Sequence, residues 1–141
     1  DILPNLSDEF ATQVSLEQLQ EEADILSLHL PITPETRYIF NAELISGMKK
    51  NFYFINTARG ENVNTKDLVK AMKSGKIKAA CLDVLEFEKP SFENITAKNE
   101  DLEYLLQSEN AIVTPHIAGW TIQSKEKLAQ IIVDKILAQF S

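Results

Sequence analysis

One stretch in the middle of the chain decides the fold: FYFINTARGENVNTKDLVKAMKSGKIKAACLDV, residues 52–84. It begins and ends with short, nearly continuous apolar runs, at 52–57 and 77–84. Runs of this length predict strands of a parallel sheet that are buried on both faces. Between them apolar side chains recur at helical spacing, with Thr65 as the predicted N-cap and Gly75 at the helix end. The stretch therefore predicts a β-α-β unit.

The same alternation continues on both sides of that unit. Two further apolar runs, at 23–30 and 111–116, predict buried strands. Helices capped by Ser15 and Asn41 are expected before and after the first of these strands. A long helix is expected at about 121–140, with an apolar face that something must cover. Strands alternating with helices predict an α/β fold, a doubly wound, Rossmann-like parallel sheet with helices on both faces.

Composition excludes several classes of function. The chain has 141 residues, 44% hydrophobic and 25% charged, which suits one globular domain. A formal charge of −7 without a basic run predicts no nucleic-acid partner. No apolar stretch reaches the roughly 20 residues of a membrane span, and the first residues do not resemble a signal peptide. We therefore expect a cytoplasmic protein with no membrane partner, in which the single cysteine, Cys81, is a buried, unreactive thiol.

The loops that follow the predicted strands form the candidate site, because ligands of such sheets bind beyond the carboxyl ends of the strands. Those loops are HLPIT, NTARG, DVLEFE and PHIAG, at 29–33, 56–60, 83–88 and 115–119. Together they bring an arginine, several acids and two histidines to one edge of the sheet.

Two of these side chains suggest a chemistry. Arg59 presents a rigid fork of donors that matches a carboxylate or phosphate, with small Ala58 and Gly60 leaving room for a ligand to approach the backbone. His116, hydrogen-bonded through one ring nitrogen to an acid, would donate a proton to a carbonyl oxygen and take it back. The candidate acids all follow one strand: Asp83, Glu86 and Glu88.

Each residue also has a more ordinary interpretation. A lone arginine such as Arg59 commonly pairs with a surface acid, and a strand-end histidine such as His116 is commonly a structural hydrogen-bonding group. The convergence of four loops favours a ligand site. His29 and His116 are the only histidines and no H-E-x-x-H motif occurs, so no metal site is expected. Nucleophilic catalysis lacks a G-x-S-x-G motif, and Cys81 precedes its strand end.

Three motifs in order resemble a known family. LHLPITPETRYIFN, FINTARGENVNTKDLVKAMKSGKIKAACLDVLEFE and NAIVTPHIAG resemble the nucleotide-binding domain of D-isomer-specific 2-hydroxyacid dehydrogenases, which include D-3-phosphoglycerate dehydrogenase. The resemblance runs from about Leu16 to the end. It implies an enzyme that transfers a hydride between NAD(H) and a D-2-hydroxy acid or its 2-oxo acid. D-3-phosphoglycerate or a similar acid, and hence serine biosynthesis, would be expected, as would a homodimer.

The resemblance also implies roles for individual residues. Arg59 would hold the substrate's carboxylate and carbonyl, Glu88 would pair with the catalytic histidine, and His116 would exchange the proton. Glu86 matches the family's acid less well than Glu88, while Asp83 would face the nicotinamide. The residues expected at the cofactor are Asp1, His29, Leu30, Pro31, Thr57, Ala58, Arg59, Asp83, His116 and Gly119.

One departure from the family is large. A dinucleotide site of this kind needs G-x-G-x-x-G after the first strand and an acid about 20 residues later for the ribose. The four glycines do not form that pattern: Gly47, Gly60, Gly75 and Gly119. Residues 1–141 are therefore expected to be a partial NAD-binding domain, truncated at its N-terminal β-α unit and inactive alone. Asp1 would be the ribose-binding acid, and the helix at about 121–140 would pack toward a missing substrate domain.

Two other functions fit the fold less well. A nucleotide-sensing, corepressor-like protein would bind NAD without significant turnover, and the set of Arg59, Glu88 and His116 favours the enzyme. A phosphate-relay receiver domain needs an acidic pair after its first strand and a lysine after its last strand. This chain has His116 at that last position.

Overall fold

The computed structural model describes residues 3–86 and 99–140, in which helices and strands alternate along the chain. The elements are α1 Leu16–Glu22, β1 Ile25–Leu28, α2 Ala42–Gly47, β2 Phe52–Asn56, a 3-10 turn at Gly60–Asn62, α3 Thr65–Lys73, β3 Ile77–Leu82, α4 Glu100–Gln107, β4 Ala111–Val113 and α5 Ile122–Phe140. The predicted α/β alternation is confirmed.

The four strands form one parallel sheet in the order β1-β2-β3-β4. Leu28 pairs with Asn56, Asn56 with Leu82, and Leu82 with Val113, so all four strands end at the same edge. A strand order that follows the chain order is that of one half of a doubly wound sheet. Each strand ends earlier than predicted.

The core lies on one face of this sheet. Leu26, Phe54 and Leu82 point into it from three neighbouring strands, and each is less than a tenth exposed. Phe40, from the loop before α2, stacks on Phe54 with ring centroids 3.8 Å apart. Leu68 of α3 also lies in this core. Burial of such large apolar side chains is the main free energy that holds the helices on the sheet.

The opposite face of the sheet is open, and the prediction of strands buried on both faces is therefore wrong for the described residues. Ile25 is 60% exposed, Tyr53 47% and Ile112 63%, while their neighbours in the same strands are buried or half-buried. No side chain described in α5 is buried. A short apolar run does not reveal whether both of its faces are covered, since that depends on which elements pack there.

Helix ends follow the predicted chemistry with one correction. The side-chain oxygens of Ser15 and Asn41 accept hydrogen bonds from the first turns of α1 and α2, as predicted. The N-cap of α3 is Asn64 and not Thr65, because Oδ1 of Asn64 accepts from the backbone N–H of Asp67 at 3.1 Å. Thr65 is the first helical residue and is buried. Gly75 follows α3 with a φ of 76°, the left-handed conformation that favours glycine there.

The described helices include none that is both long enough and apolar enough to cross a membrane.

Candidate active site

Backbone hydrogen bonds join the loops that follow β2, β3 and β4. The N–H of Asp83 donates to the carbonyl of Asn56 at 2.9 Å. The N–H of His116 in turn donates to the carbonyl of Asp83 at 2.8 Å. The structure therefore brings the Asp83 and His116 loops together at the end of the strand that leads to Arg59.

The carboxylate of Asp83 organises the loop that contains His116. It is 4% exposed and accepts hydrogen bonds from the Thr114 hydroxyl at 2.6 Å and from the N–H groups of Ile117 and Ala118 at 2.8 and 2.9 Å. Within this loop His116 has a φ of 55°, in the left-handed region that few non-glycine residues adopt. Three bonds to one buried carboxylate supply the free energy that holds such a conformation.

The same contacts set the charge of Asp83. Burial acts to raise the pKa of its carboxyl, but the Thr114 hydroxyl, the two backbone N–H groups and the positive charge of His116 lower it by more. The pKa of Asp83 therefore lies below its ordinary value, and the group is ionised at neutral pH. A buried anion therefore lies next to the His116 loop.

Arg59 is exposed in the loop after β2, in a turn that is held from two sides. Its Nη1 donates to the carbonyl of Ala58 at 2.6 Å. The side chain of Asn56, at the end of β2, bonds this turn as well: Oδ1 accepts from Ala58 N–H at 3.0 Å, and Nδ2 donates to the Arg59 carbonyl at 2.9 Å. The sequence interpretation missed Asn56, although a polar residue that ends an apolar strand was a signal.

The predicted role of Gly60 in this turn, to leave room for a ligand, is wrong. Ala58 is buried, and a Cβ placed on Gly60 would overlap the carbonyl of Leu85. The space at Gly60 is therefore filled by the backbone that follows β3 and is not available to a ligand. Gly60 is needed because two loops approach each other closely at this point.

The three candidate acids have different positions. Asp83 is engaged by the His116 loop, as described. Glu86 accepts a hydrogen bond from the N–H of Thr65 at 3.2 Å, at the start of α3. Burial raises the pKa of Glu86 above its ordinary value, the bonds from Thr65 oppose this, and the negative charge of Asp101 adds to the rise. Glu88, the predicted partner of His116, lies outside the described residues.

Four of the predicted cofactor residues follow β1 and β2 at the edge where the strands end. His29, Pro31 and Thr57 are exposed at the sheet edge, and Leu30 is half-buried. Nε2 of His29 lies 2.9 Å from the hydroxyl of Ser27. Exposed side chains at the carboxyl ends of parallel strands are where a dinucleotide binds, so these residues fit NAD.

Two other cofactor candidates belong to neither of these loops in the sequence. Gly119 is exposed and has open space where a Cβ would point. Asp1 lies outside the described residues. Within 3–86 and 99–140, no three histidine, cysteine or acidic side chains cluster closely enough to hold a metal ion.

Comparison with protein families gives a match over most of the chain. Residues 3–118 match the family model described as D-isomer specific 2-hydroxyacid dehydrogenase, NAD binding domain. A glyoxylate reductase of Thermofilum pendens is 39% identical over 137 residues, which are 97% of this chain and 36% of that protein. A D-lactate dehydrogenase of Treponema pallidum is 37% identical over 133 residues, 91% of this chain and 40% of that protein.

Solved structures agree with this match. The D-isomer specific 2-hydroxyacid dehydrogenase of Lactobacillus delbrueckii ssp. bulgaricus, in its NAD complexed form, superposes with a TM-score of 0.80 and 36% identity over 97% of this chain and 43% of that one. The D-lactate dehydrogenase of Aquifex aeolicus, complexed with NAD and lactic acid, gives a TM-score of 0.71 and 39% identity, covering 90% and 42%. The chain thus spans about two fifths of the length of these relatives.

Proposed function

Because the chain belongs to the D-isomer specific 2-hydroxyacid dehydrogenases, as part of their NAD-binding domain, we propose that the whole protein interconverts a D-2-hydroxy acid and its 2-oxo acid with NAD(H). The observation that supports this best is the buried Asp83, whose carboxylate holds the His116 loop at the strand edge from which the Arg59 turn also leaves. A proton donor and a carboxylate-binding group at one edge are what 2-oxo acid reduction requires.

In this proposal two side chains act on the substrate. Arg59 binds the substrate carboxylate through two of its N–H groups, which fixes the reacting carbon in place. His116 donates a proton to the carbonyl oxygen during reduction and takes it back during oxidation. When bound, NADH supplies the hydride that reaches C2.

Other residues are assigned supporting roles. Glu88 would hydrogen-bond the second ring nitrogen of His116, which fixes the tautomer. Asp1 would accept the ribose hydroxyls of NAD, and Asp83 would lie at the nicotinamide end. The remaining cofactor contacts are proposed for His29, Leu30, Pro31, Thr57, Ala58 and Gly119.

The substrate is proposed to be a small, unphosphorylated acid. The relatives include glyoxylate and hydroxypyruvate reductases and D-lactate dehydrogenases. These names favour glyoxylate, hydroxypyruvate or pyruvate over the phosphorylated acid that D-3-phosphoglycerate dehydrogenase would use. We also propose that the whole protein is a cytoplasmic homodimer, and that α5 packs toward a substrate domain.

NADH oxidation by the whole protein tests the function. With glyoxylate, hydroxypyruvate, pyruvate and 3-phosphohydroxypyruvate offered in turn, we expect turnover with at least one of the first three and little with the phosphorylated acid. Residues 1–141 alone should give no turnover, because the sequence lacks the glycine-rich turn that binds the pyrophosphate.

His116→Asn in the whole protein separates an enzyme from a nucleotide sensor. We expect kcat to fall by roughly 10²–10⁴-fold, since a general acid contributes about that factor. The Kd for NADH, measured by fluorescence titration of the same variant, should stay within about threefold of the wild type, because the ring meets the cofactor only at its reacting end. A wild-type protein that binds NADH but reduces none of the four acids would contradict the enzyme and favour a sensor.

A further inference from the structure

The backbone and the side chain of Asn56 both make hydrogen bonds at the candidate site. It is 1% exposed, and its backbone carbonyl accepts the N–H of Asp83. Both ends of its side chain bond the backbone of the next turn, at Ala58 N–H and at the carbonyl of Arg59. All of these bonds are directed at the two loops that the proposed reaction uses.

These bonds determine the position of the backbone from which the Arg59 side chain extends. The N–H of Ala58 and the carbonyl of Arg59 lie on either side of the Ala58–Arg59 peptide, so fixing both fixes the orientation of that peptide. The guanidinium of Arg59 in turn donates to the carbonyl of Ala58, which belongs to the same peptide. The direction of the arginine therefore depends on a peptide that Asn56 holds.

A second contact explains why the turn needs this support. At Gly60 the backbone of the turn lies against the carbonyl of Leu85, so the turn is pressed between the loop after β3 and the end of β2. The side chain of Asn56 is the group that holds the turn from the strand side. A leucine or valine at this position would continue the apolar strand and leave Ala58 N–H without this acceptor.

We infer that Asn56 is a positioning residue that sets where Arg59 meets the carboxylate of the substrate. The inference rests on the proposed function, since it assigns Arg59 to the substrate. It makes Asn56 a determinant of substrate affinity that does not itself touch substrate or cofactor.

The experiment compares Asn56→Ala with Asn41→Ala in the whole protein. Asn41 is a matched control, because its side chain also accepts backbone N–H bonds and donates to a carbonyl, of Tyr38, but does so at the cap of α2. We expect Asn56→Ala to lower kcat/KM for the 2-oxo acid by roughly 10- to 100-fold, mainly through KM, since small misplacements of a positioning group cost about this factor. Asn41→Ala should change kcat/KM by less than about threefold.

A double-mutant cycle with Arg59→Ala distinguishes positioning from general damage. If Asn56 acts through Arg59, then Asn56→Ala should have little further effect on kcat/KM once Arg59 is absent. Full additivity of the two substitutions would overturn the inference. Binding of oxamate, a non-reducible 2-oxo acid analogue, to the NADH complex should weaken in parallel with KM, while NADH binding should not.

Asn56→Asp provides a second variant in case the alanine variant does not fold. It keeps an acceptor for Ala58 N–H and removes the donor to the carbonyl of Arg59, so we expect a partial rise in KM. Wild-type KM in a folded Asn56→Asp protein would contradict the inference.

Hydrogen exchange at the Ala58 amide tests, without an activity assay, whether the Asn56 side chain holds the turn. Protection of that amide should fall in Asn56→Ala and persist in Asn41→Ala. If protection is lost in Asn56→Ala but the wild-type protein reduces no 2-oxo acid, the proposed function is refuted, whereas the role of Asn56 in holding the turn stands. Unchanged protection in Asn56→Ala would refute the role of Asn56 in holding the turn.

Discussion

At the scale of single residues, the least ordinary backbone in the site is that of His116. A φ of 55° places it in a region where a side chain collides with its own backbone, so it needs compensating bonds. Asp83 supplies them through Thr114, Ile117 and Ala118. The conformation of this loop thus depends on the carboxylate of Asp83, which lies in the loop after β3. This explains why no local motif around the histidine predicts the conformation.

Asp83→Asn tests this dependence on one carboxylate. The amide retains only one acceptor oxygen and places an NH₂ group against a backbone donor, so we expect the free energy of unfolding to fall by about 1–3 kcal/mol at neutral pH. Thr114→Val is the control, because it removes one of the three bonds and should cost about 1 kcal/mol. Urea unfolding of residues 1–141 gives both values.

The difference in unfolding free energy between wild type and Asp83→Asn should depend on pH, because the pKa of Asp83 is lowered in the folded protein. The folded pKa of Asp83 is lowered, so its contribution is complete above the ordinary value of 3.8 and is lost as the pH falls through the folded pKa. The stability gap between wild type and Asp83→Asn should therefore narrow below about pH 3.8. A gap that is constant between pH 7 and pH 3 would show that the charge of Asp83 is not what holds the loop.

At the scale of elements, the site depends on how closely the loop after β2 approaches the loop after β3. Gly60 permits this approach, because any Cβ there would overlap Leu85. The helix α3 that follows begins at the same place, capped by Asn64 and bonded at Thr65 by Glu86. Three elements thus meet at the base of the Arg59 turn.

Gly60→Ala and Gly119→Ala form a matched pair. Neither glycine has a positive φ, but the space around them differs: Gly60 faces backbone, whereas Gly119 has nothing within 4 Å. We expect Gly60→Ala to destabilise the fold by roughly 1–3 kcal/mol, the usual cost of overpacking against groups that cannot move aside. Gly119→Ala should stay within about 0.5 kcal/mol of wild type. Equal midpoints of thermal unfolding for the two variants would argue against the close approach at Gly60.

The sequence predicted elements better than their ends. All four strands and the long C-terminal helix occur where hydrophobic periodicity placed them, because that periodicity reports which side chains are buried. The cap of α3 was misplaced by one residue, from Asn64 to Thr65. Adjacent polar residues both have capping chemistry, and only the course of the backbone selects between them.

At the scale of the whole molecule, two apolar surfaces are exposed among residues 3–86 and 99–140. One is the open face of the sheet with Ile25, Tyr53 and Ile112, and the other is α5. The exposed apolar side chains of α5 are Ile122, Leu128, Ile131, Ile132, Val133, Ile136, Leu137 and Phe140. Exposed apolar surface on this scale favours association, because water leaves it when two such surfaces meet.

Residues 1–141 expressed alone should therefore self-associate. Sedimentation equilibrium should give a mass above that of the monomer, and the double change Ile132→Lys with Ile136→Lys should reduce it. Gln130→Lys is the control: Gln130 bonds Asp134 on the polar side of α5, so its replacement should leave the mass unchanged. A monomeric wild type at micromolar concentration would contradict this expectation.

The sequence by itself determined the α/β class. It also determined which candidate side chains follow which strand: an arginine after β2, acids after β3 and a histidine after β4. These follow from patterns local to the chain, namely apolar periodicity and the residues that end it. Tertiary structure decided three other features. One face of the sheet is open, and the space at Gly60 is filled by backbone and not by a ligand. Asn56 holds the Arg59 turn, and Asp83 holds the His116 loop. Each of these depends on which segments, distant in sequence, pack side by side, and hydrogen bonds and burial between such segments leave no local periodicity to read.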